Sequence, residues 1–196
     1  MALEHAILVS LDERSGSGYE LAQRFEKSIG FFWPATHQQI YRTLKRMVDL
    51  AWVSCHEVAQ DGRPDKKVYE VTEAGRDELA RWLASPGEPE TVRSDLAVKV
   101  RGASLGDAKA VIAELARHRE LHAERLDVYL AFEKKDFPDP SALSGRRLHQ
   151  YLILRGGIRA EQGLVEWCDE ALAAMRNDEM HTGEMRADDM REDDRR

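Results

Sequence analysis

Gln38, Tyr41, Arg42 and Lys45 recur at i, i+3, i+4 and i+7, so a helix presents all four on one face. Their types suit one chemistry. A glutamine amide pairs with the edge of adenine and a guanidinium with the edge of guanine. Lysine and tyrosine suit phosphates. His37, one residue ahead, suits either target, and Thr36 opens the segment with Gln39 three residues later. That pairing is a capping box, in which hydroxyl and amide each satisfy one backbone N–H. The helix N-terminus it creates adds N–H groups that favour phosphate. Arg63, Lys66 and Lys67 form a second cationic group around a Gly-Arg-Pro-Asp turn, placed to meet a nucleic-acid backbone or a minor groove. Tyr19 is the outlying candidate, touching phosphate from the other side. A plainer reading stands beside each set: an ordinary solvated helix face, and an edge hairpin carrying lysine to stay soluble.

Other constellations fall short of chemistry. Gly16-Ser17-Gly18 is too short for a phosphate loop and no Gly-Lys-Ser/Thr follows it. No Gly-x-Ser-x-Gly is present. His118 and His122 are four apart, but two ligands do not make a metal site, and Glu120 is misplaced for His-Glu-x-x-His. Without a convergent acid, base or nucleophile, the expectation is a protein that is not an enzyme and needs neither metal nor cofactor.

The elements that must position these residues follow from periodicity. Leu3, Ile7 and Leu11 mark a helix over 2–12, and Leu21, Phe25 and Ile29 a second from about 18 to 28. A turn over 14–18 joins them. Phe31-Phe32-Trp33-Pro34 ends that unit. Ile40, Leu44 and Met47 give the third helix, about 36–50, its buried side. Strand-like runs at 52–58 and 66–71 flank the turn at 61–65 and read as a hairpin. Thr72 caps a helix over 73–84 whose buried face is expected to carry Leu79, Trp82 and Leu83. Helix, helix, helix, hairpin, helix is the order of a winged helix-turn-helix, in which the third helix enters the major groove.

The chain is mainly α in this reading. Residues 1–84 form the winged helix-turn-helix, with three helices and a two-stranded wing. Residues 85–106 are a linker with a short helix near 94–101, and Ser104 and Asp107 start a helix of about 107–135. A last helix runs from about 144 to 175, making 107–176 a long-helix dimerisation domain. Tyr151, Ile158, Val165 and Leu172 recur every seven residues, as along a coiled-coil seam. That seam buries against a helix of the same chain or of a partner. Leu115, His122 and Leu126 form a facing stripe and are assigned with it to dimerisation. A seam histidine further suggests a contact weakened by protonation. Gly156 and Gly157 lower helix propensity, so they need a local reason: a close helix crossing, or room for a ligand. Trp33, Trp52, Trp82 and Trp167 are either core or the lining of an aromatic pocket.

Composition sets the outer limits. The chain has 196 residues and a net charge of −7. Residues 177–196 hold eight acids and four bases, so −4 of that charge lies in a terminal segment expected to be disordered. The remainder does not oppose a local cationic patch. No apolar run approaches a membrane span, no secretory leader is apparent, and Cys55 and Cys168 show no disulfide pattern. A cytoplasmic protein without membrane partners is the expectation.

Several ordered segments look like PadR-family regulators. They are Leu3-Glu4-His5-Ala6-Ile7-Leu8, Ser17-Gly18-Tyr19-Glu20-Leu21 and Gly30-Phe31-Phe32-Trp33-Pro34-Ala35-Thr36-His37-Gln38-Gln39-Ile40-Tyr41. Gly62-Arg63-Pro64 with Lys67-Val68-Tyr69, and Val71-Thr72-Glu73-Ala74-Gly75, complete the match over 1–84. Leu152-Ile153-Leu154-Arg155-Gly156-Gly157-Ile158 and Glu166-Trp167 are similar to the helical domain of longer PadR proteins and AphA-like virulence activators. The resemblance implies a dimer joined through C-terminal helices, regulation of transcription, commonly by repression, and a small aromatic or hydrophobic effector of unassigned site. Double-stranded DNA and a second copy of the chain are the implied partners. The DNA-facing role passes to Gln38, Tyr41, Arg42, Lys45, Arg63 and Lys66. The competing reading is a winged helix that docks another protein, which has no need of Arg42, Lys45, Arg63 and Lys66 together.

Overall fold

The computed structural model describes the backbone of residues 2–27, 35–60, 63–87 and 93–193, and side chains over 3–25, 35–59, 66–87 and 93–179. Ile29, the Phe31–Pro34 break with Trp33, the tip of the wing and the Arg63 side chain lie outside these. Contacts divide the chain into two units, Met1–Glu90 and Thr91–Arg196.

In the first unit α1 (Ala2–Glu13), β1 (Gly16–Ser17), α2 (Gly18–Lys27), α3 (His37–Asp49), β2 (Val53–Gln60), β3 (Arg63–Val71) and α4 (Glu73–Ala84) follow one another. Ile7, Leu8 and Leu11 from α1, Leu21, Ala22 and Phe25 from α2, and Ile40, Leu44 and Met47 from α3 meet in one core, closed by Val53 and Val71. Each buried Val, Leu, Ile, Phe or Met side chain of this set stabilises the fold by about 1.5–3 kcal/mol relative to exposure. β2 and β3 pair antiparallel, Val53 opposite Val71 and Glu57 opposite Lys67. The hairpin has a third member that the expected two-stranded wing lacked. β1 pairs with β3, Gly16 opposite Tyr69 and Ser17 opposite Val68, in the sheet order β1-β3-β2. Two residues carry no alternation, so the turn signal of Gly-Ser-Gly hid this strand.

The expected buried face of α4 is corrected. Leu79 packs partly against the core, but Trp82 and Leu83 are 42 % and 66 % exposed. α4 packs on α1, where His5 stacks on the Trp82 ring at 4.5 Å. The buried residue of α4 is Gly75. α3 runs through Ala51, held at φ 57°, into Trp52, whose carbonyl accepts the Thr72 N–H at 3.1 Å. A Cβ on Gly75 would stand 2.1 Å from that carbonyl oxygen.

The second unit holds α5 (Asp95–Arg101), capped by Ser94, then α6 (Ala108–Asp136) and α7 (Gly145–Asp193). Asp107 alone caps α6, accepting from Lys109 and Ala110, while Ser104 lies in a separate 3-10 turn. α5 is not a free linker helix, because Leu96 inserts beside Leu115, Cys168 and Leu172. α6 and α7 are antiparallel partners. Arg119 meets Asp169 at 3.0 Å, Arg125 meets Glu161 at 3.0 Å, Arg155 meets Glu133 at 3.0 Å, and the Phe137 and Tyr151 rings lie 5.4 Å apart.

Within one chain this pairing already covers part of the seam assigned to dimerisation. Leu115, Ile158 and Leu172 are buried within one chain, and His122, Leu126, Tyr151 and Val165 are half-buried. A seven-residue repeat marks a face, and here α6 fills it. His122 Nδ1 lies 2.6 Å from Glu161 Oε2 of the same chain. Gly157 is explained by Tyr129, whose ring would lie 3.0 Å from an added Cβ. Helical backbone also continues from 176 to Asp193, through the segment expected to be a disordered tail. Its Glu, Met, Arg and Ala residues have high helix propensity despite lacking an apolar stripe.

Gly75→Ala is expected to lower stability by about 1–3 kcal/mol, whereas Gly87→Ala, where a Cβ meets open space, should change it by less than about 0.5 kcal/mol. Chemical denaturation of both variants checks this, and equal stabilities would contradict the Trp52 contact.

Candidate nucleic-acid interface

α3 is held from three directions. At its start Thr36 Oγ1 accepts the Gln39 N–H at 3.2 Å while the Thr36 N–H donates to Gln39 Oε1 at 2.8 Å, the expected capping box. Ile40, Thr43, Leu44 and Met47 bury its inner side. Arg46 forms an ion pair with the buried Glu4 carboxylate of α1. What remains outside is the expected face: His37, Gln38, Tyr41, Arg42 and Lys45 are all exposed. Among the described residues neither Arg42 nor Lys45 has a charged partner. A helix face with an amide donor–acceptor, a guanidinium and an ammonium left in water has the hydrogen-bonding groups that base edges and phosphates require.

Tyr41 is only half free. Its ring lies on the backbone of Gly18, where an added Cβ would approach Tyr41 Cε1 to 2.4 Å. This contact sets the start of α2 against the outer face of α3. Tyr19, the next residue, is 57 % exposed, and its hydroxyl accepts from Gln23 Nε2 at 2.9 Å. Behind Tyr41 lies Tyr69 of β3, its phenol pushed up first by burial and then by Cys55 and Tyr41.

The wing cations divide. Lys67 is exposed, with Glu57 at 3.9 Å. Lys66 is half-buried, and its Nζ donates to Glu20 Oε1 at 2.7 Å. Glu20 was not singled out from the sequence, although Ser17-Gly18-Tyr19-Glu20 has capping-box spacing. Its other oxygen accepts the Ser17 N–H at 2.8 Å, and its own N–H donates to Ser17 Oγ at 3.2 Å. The Lys66 and Ser17 hydrogen bonds hold its carboxyl down at about 2.

Elsewhere the sequence candidates do not converge. Among the described residues no three His, Cys, Asp or Glu side chains are grouped to hold a metal. His118 and His122 are instead engaged by Glu114 and Glu161. Trp52 and Trp82 flank His5, at 6.2 and 4.5 Å between ring centroids. Trp167 faces solvent on α7. No described helix is long and apolar enough to cross a membrane.

Residues 7–81 match the model of the "Transcriptional regulator PadR-like family", and residues 92–176 match "Virulence activator alpha C-term". A probable transcriptional regulator of Mycobacterium tuberculosis, Rv1176c, is 52 % identical over 186 residues, covering 90 % of this chain and 98 % of the relative. The chain belongs to the PadR-like family of transcriptional regulators. Its solved neighbours include the Vibrio cholerae virulence activator AphA, with 32 % identity, a TM-score of 0.76 and coverage of 89 % of this chain and 98 % of that one. Bacillus subtilis PadR in complex with operator DNA superposes with a TM-score of 0.79 at 27 % identity, covering 89 % and 99 %. The same protein has been solved with p-coumaric acid, at a TM-score of 0.74 and 26 % identity, covering 90 % and 99 %. This PadR-family chain is thus a winged-helix regulator of transcription and not an enzyme.

The Glu20 contribution to stability should be fully present above pH 4.5 and lost as pH falls toward 2, because its folded-state value is depressed. Native protein and Glu20→Gln compared by denaturant unfolding should differ at pH 6 and converge near pH 2. A difference that does not vary with pH would contradict the ion pair.

Proposed function

We propose that this PadR-family regulator is a dimeric, ligand-responsive repressor that reads a pseudo-palindromic operator with α3 and the wing. The observation that carries this reading is the solvated face Gln38, Tyr41, Arg42 and Lys45 on a helix otherwise locked into the core. Gln38 and Arg42 are the base-reading candidates. Lys45, Tyr41, Tyr19 and the N-terminus at Thr36 and His37 serve phosphates, and Lys67 and Arg63 supply the wing's charge. B. subtilis PadR, 29 % identical over 181 residues, is a negative transcriptional regulator, which supports repression here.

Two-fold symmetry answers what one α3 lacks, since a single helix reads one half-site and a dimer spaces two helices about 34 Å apart. The α6-facing seam is filled, so the second copy needs another surface. α7 has one. Leu152, Gly156, Ala160, Gly163 and Trp167 follow helical spacing on the side turned away from α6 and are exposed. Added Cβ atoms at Gly156 and Gly163 would meet open space. Small residues between apolar ones allow two helix backbones to approach, which accounts for Gly156 where Tyr129 accounts for Gly157. A C2 contact of this face with itself is self-complementary. The p-coumaric acid complex of B. subtilis PadR supports a small aromatic effector, which lowers DNA affinity if it binds better to a state with unmatched helix spacing.

Fluorescence anisotropy on DNA from the protein's own promoter region, against random DNA and at rising salt, tests this. Arg42→Ala should cost about 1–3 kcal/mol on the selected sequence, and Lys45→Ala should reduce the salt slope by about 0.9. Equal, weak binding to all sequences in a genome-wide selection would sink the proposal. Separately, Gly156→Leu and Trp167→Glu should each convert a native dimer to a folded monomer in analytical ultracentrifugation. A monomeric native protein at micromolar concentration would contradict the α7 contact.

A further inference from the structure

Lys66 carries the charge of a DNA contact but not its freedom. Its ammonium sits 2.7 Å from Glu20 Oε1, and its side chain is 30 % exposed, against 63 % for Lys67. The carboxylate is itself built in. Glu20 Oε2 accepts from the Ser17 N–H at 2.8 Å and from Ser17 Oγ at 3.2 Å. A Cβ on Gly16 would stand 3.0 Å from the same oxygen, so the absent side chain at Gly16 leaves Glu20 its place. Ser17 in turn pairs with Val68 of β3. One acidic side chain therefore joins the start of α2, the short strand β1 and the wing strand β3.

We infer that Glu20 is a positioning residue of the DNA-reading surface, which fastens the wing to α2 through Lys66 and withdraws Lys66 from phosphate contact. A bare carboxylate beside Tyr19 would repel a nucleic-acid backbone, and pairing it with a wing lysine cancels that repulsion. The Glu20 carboxyl is held low enough to stay ionised throughout the neutral range. The wing then meets DNA through Lys67 and Arg63, at an angle set by the Glu20–Lys66 pair. The functional part of this inference rests on the DNA-binding reading above, while the fastening itself does not.

The test compares native protein, Glu20→Gln, Lys66→Met and Lys66→Arg, each checked for native circular dichroism. Glutamine keeps an acceptor for Ser17, so Glu20→Gln removes the charge and not the cap. Amide hydrogen exchange gives a readout independent of DNA. Glu20→Gln and Lys66→Met should speed exchange at Ser17, Val68 and Tyr69 while leaving Leu44 and Met47 unchanged, and Lys66→Arg should restore native protection. Anisotropy on operator DNA should then show affinity lowered about fivefold in Glu20→Gln and Lys66→Met, the upper range for a half-exposed ion pair, with unchanged salt slopes. Lys66→Arg should bind like native protein.

Two results would overturn the inference in DNA binding. Tighter binding by Glu20→Gln with a slope steeper by about 0.9 would make Glu20 a brake on a phosphate-seeking Lys66. A slope flattened by the same amount in Lys66→Met would make Lys66 a direct phosphate contact. Native exchange rates in both uncharged variants would refute the fastening itself. Failure of the native protein to select any DNA would refute the functional reading and its positioning role, with exchange still deciding whether the pair holds the wing.

Discussion

The burial of Ile40, Leu44 and Met47 decides which side of α3 stays in water, and the proposed DNA-reading surface depends on that decision. Three apolar side chains from one helix, set among α1 and α2, leave α3 little freedom to rotate about its axis. The Thr36 capping box fixes where the helix begins, and the Glu4–Arg46 pair ties its far end to α1. Gln38, Tyr41, Arg42 and Lys45 are therefore displayed as a consequence of core packing and need no dedicated scaffold. Around them the same economy recurs, with Gly18 making room for the Tyr41 ring and Gly75 making room for the carbonyl of Trp52.

The second unit carries apolar residues on two sides of one long helix. α7 buries Ile158, Cys168 and Leu172 against α5 and α6 and leaves Leu152, Gly156, Gly163 and Trp167 on another side. The buried Glu161 interrupts the first face, but it is satisfied by His122 and Arg125. Breaking such a buried set by removing one partner is costly, whereas its net contribution when complete is small.

Much of this was legible in the sequence because helix periodicity and capping are local. Thr36 and Gln39 announced α3, and the apolar spacing named its buried residues. The exposed cationic face then followed by exclusion. What stayed hidden was the identity of neighbours. The repeat of Tyr151, Ile158, Val165 and Leu172 marks a packing face, but periodicity does not say by which chain it is covered, and within this chain α6 packs on it. β1 was too short to alternate. Trp82 and Leu83 read as inward-facing by hydrophobicity, yet both stay exposed where α4 packs on α1. Ser17 and Glu20 had the capping spacing in plain view, masked by two flanking glycines that read as a turn. The link from Glu20 to Lys66 spans 46 positions and belongs to the tertiary fold.

The two apolar sides of α7 also bear on how this chain can diverge. A helix with one buried side tolerates replacement over most of its circumference. Here the freely variable strip narrows to a polar ribbon through Arg159, Gln162 and Glu166, bounded on one edge by residues committed to α6 and on the other by a greasy, glycine-spaced ridge. Drift along this helix should be confined to that ribbon. Changes on either flank should come in compensating groups, so relatives that regulate different genes could keep α7 nearly fixed while α3 and the wing change.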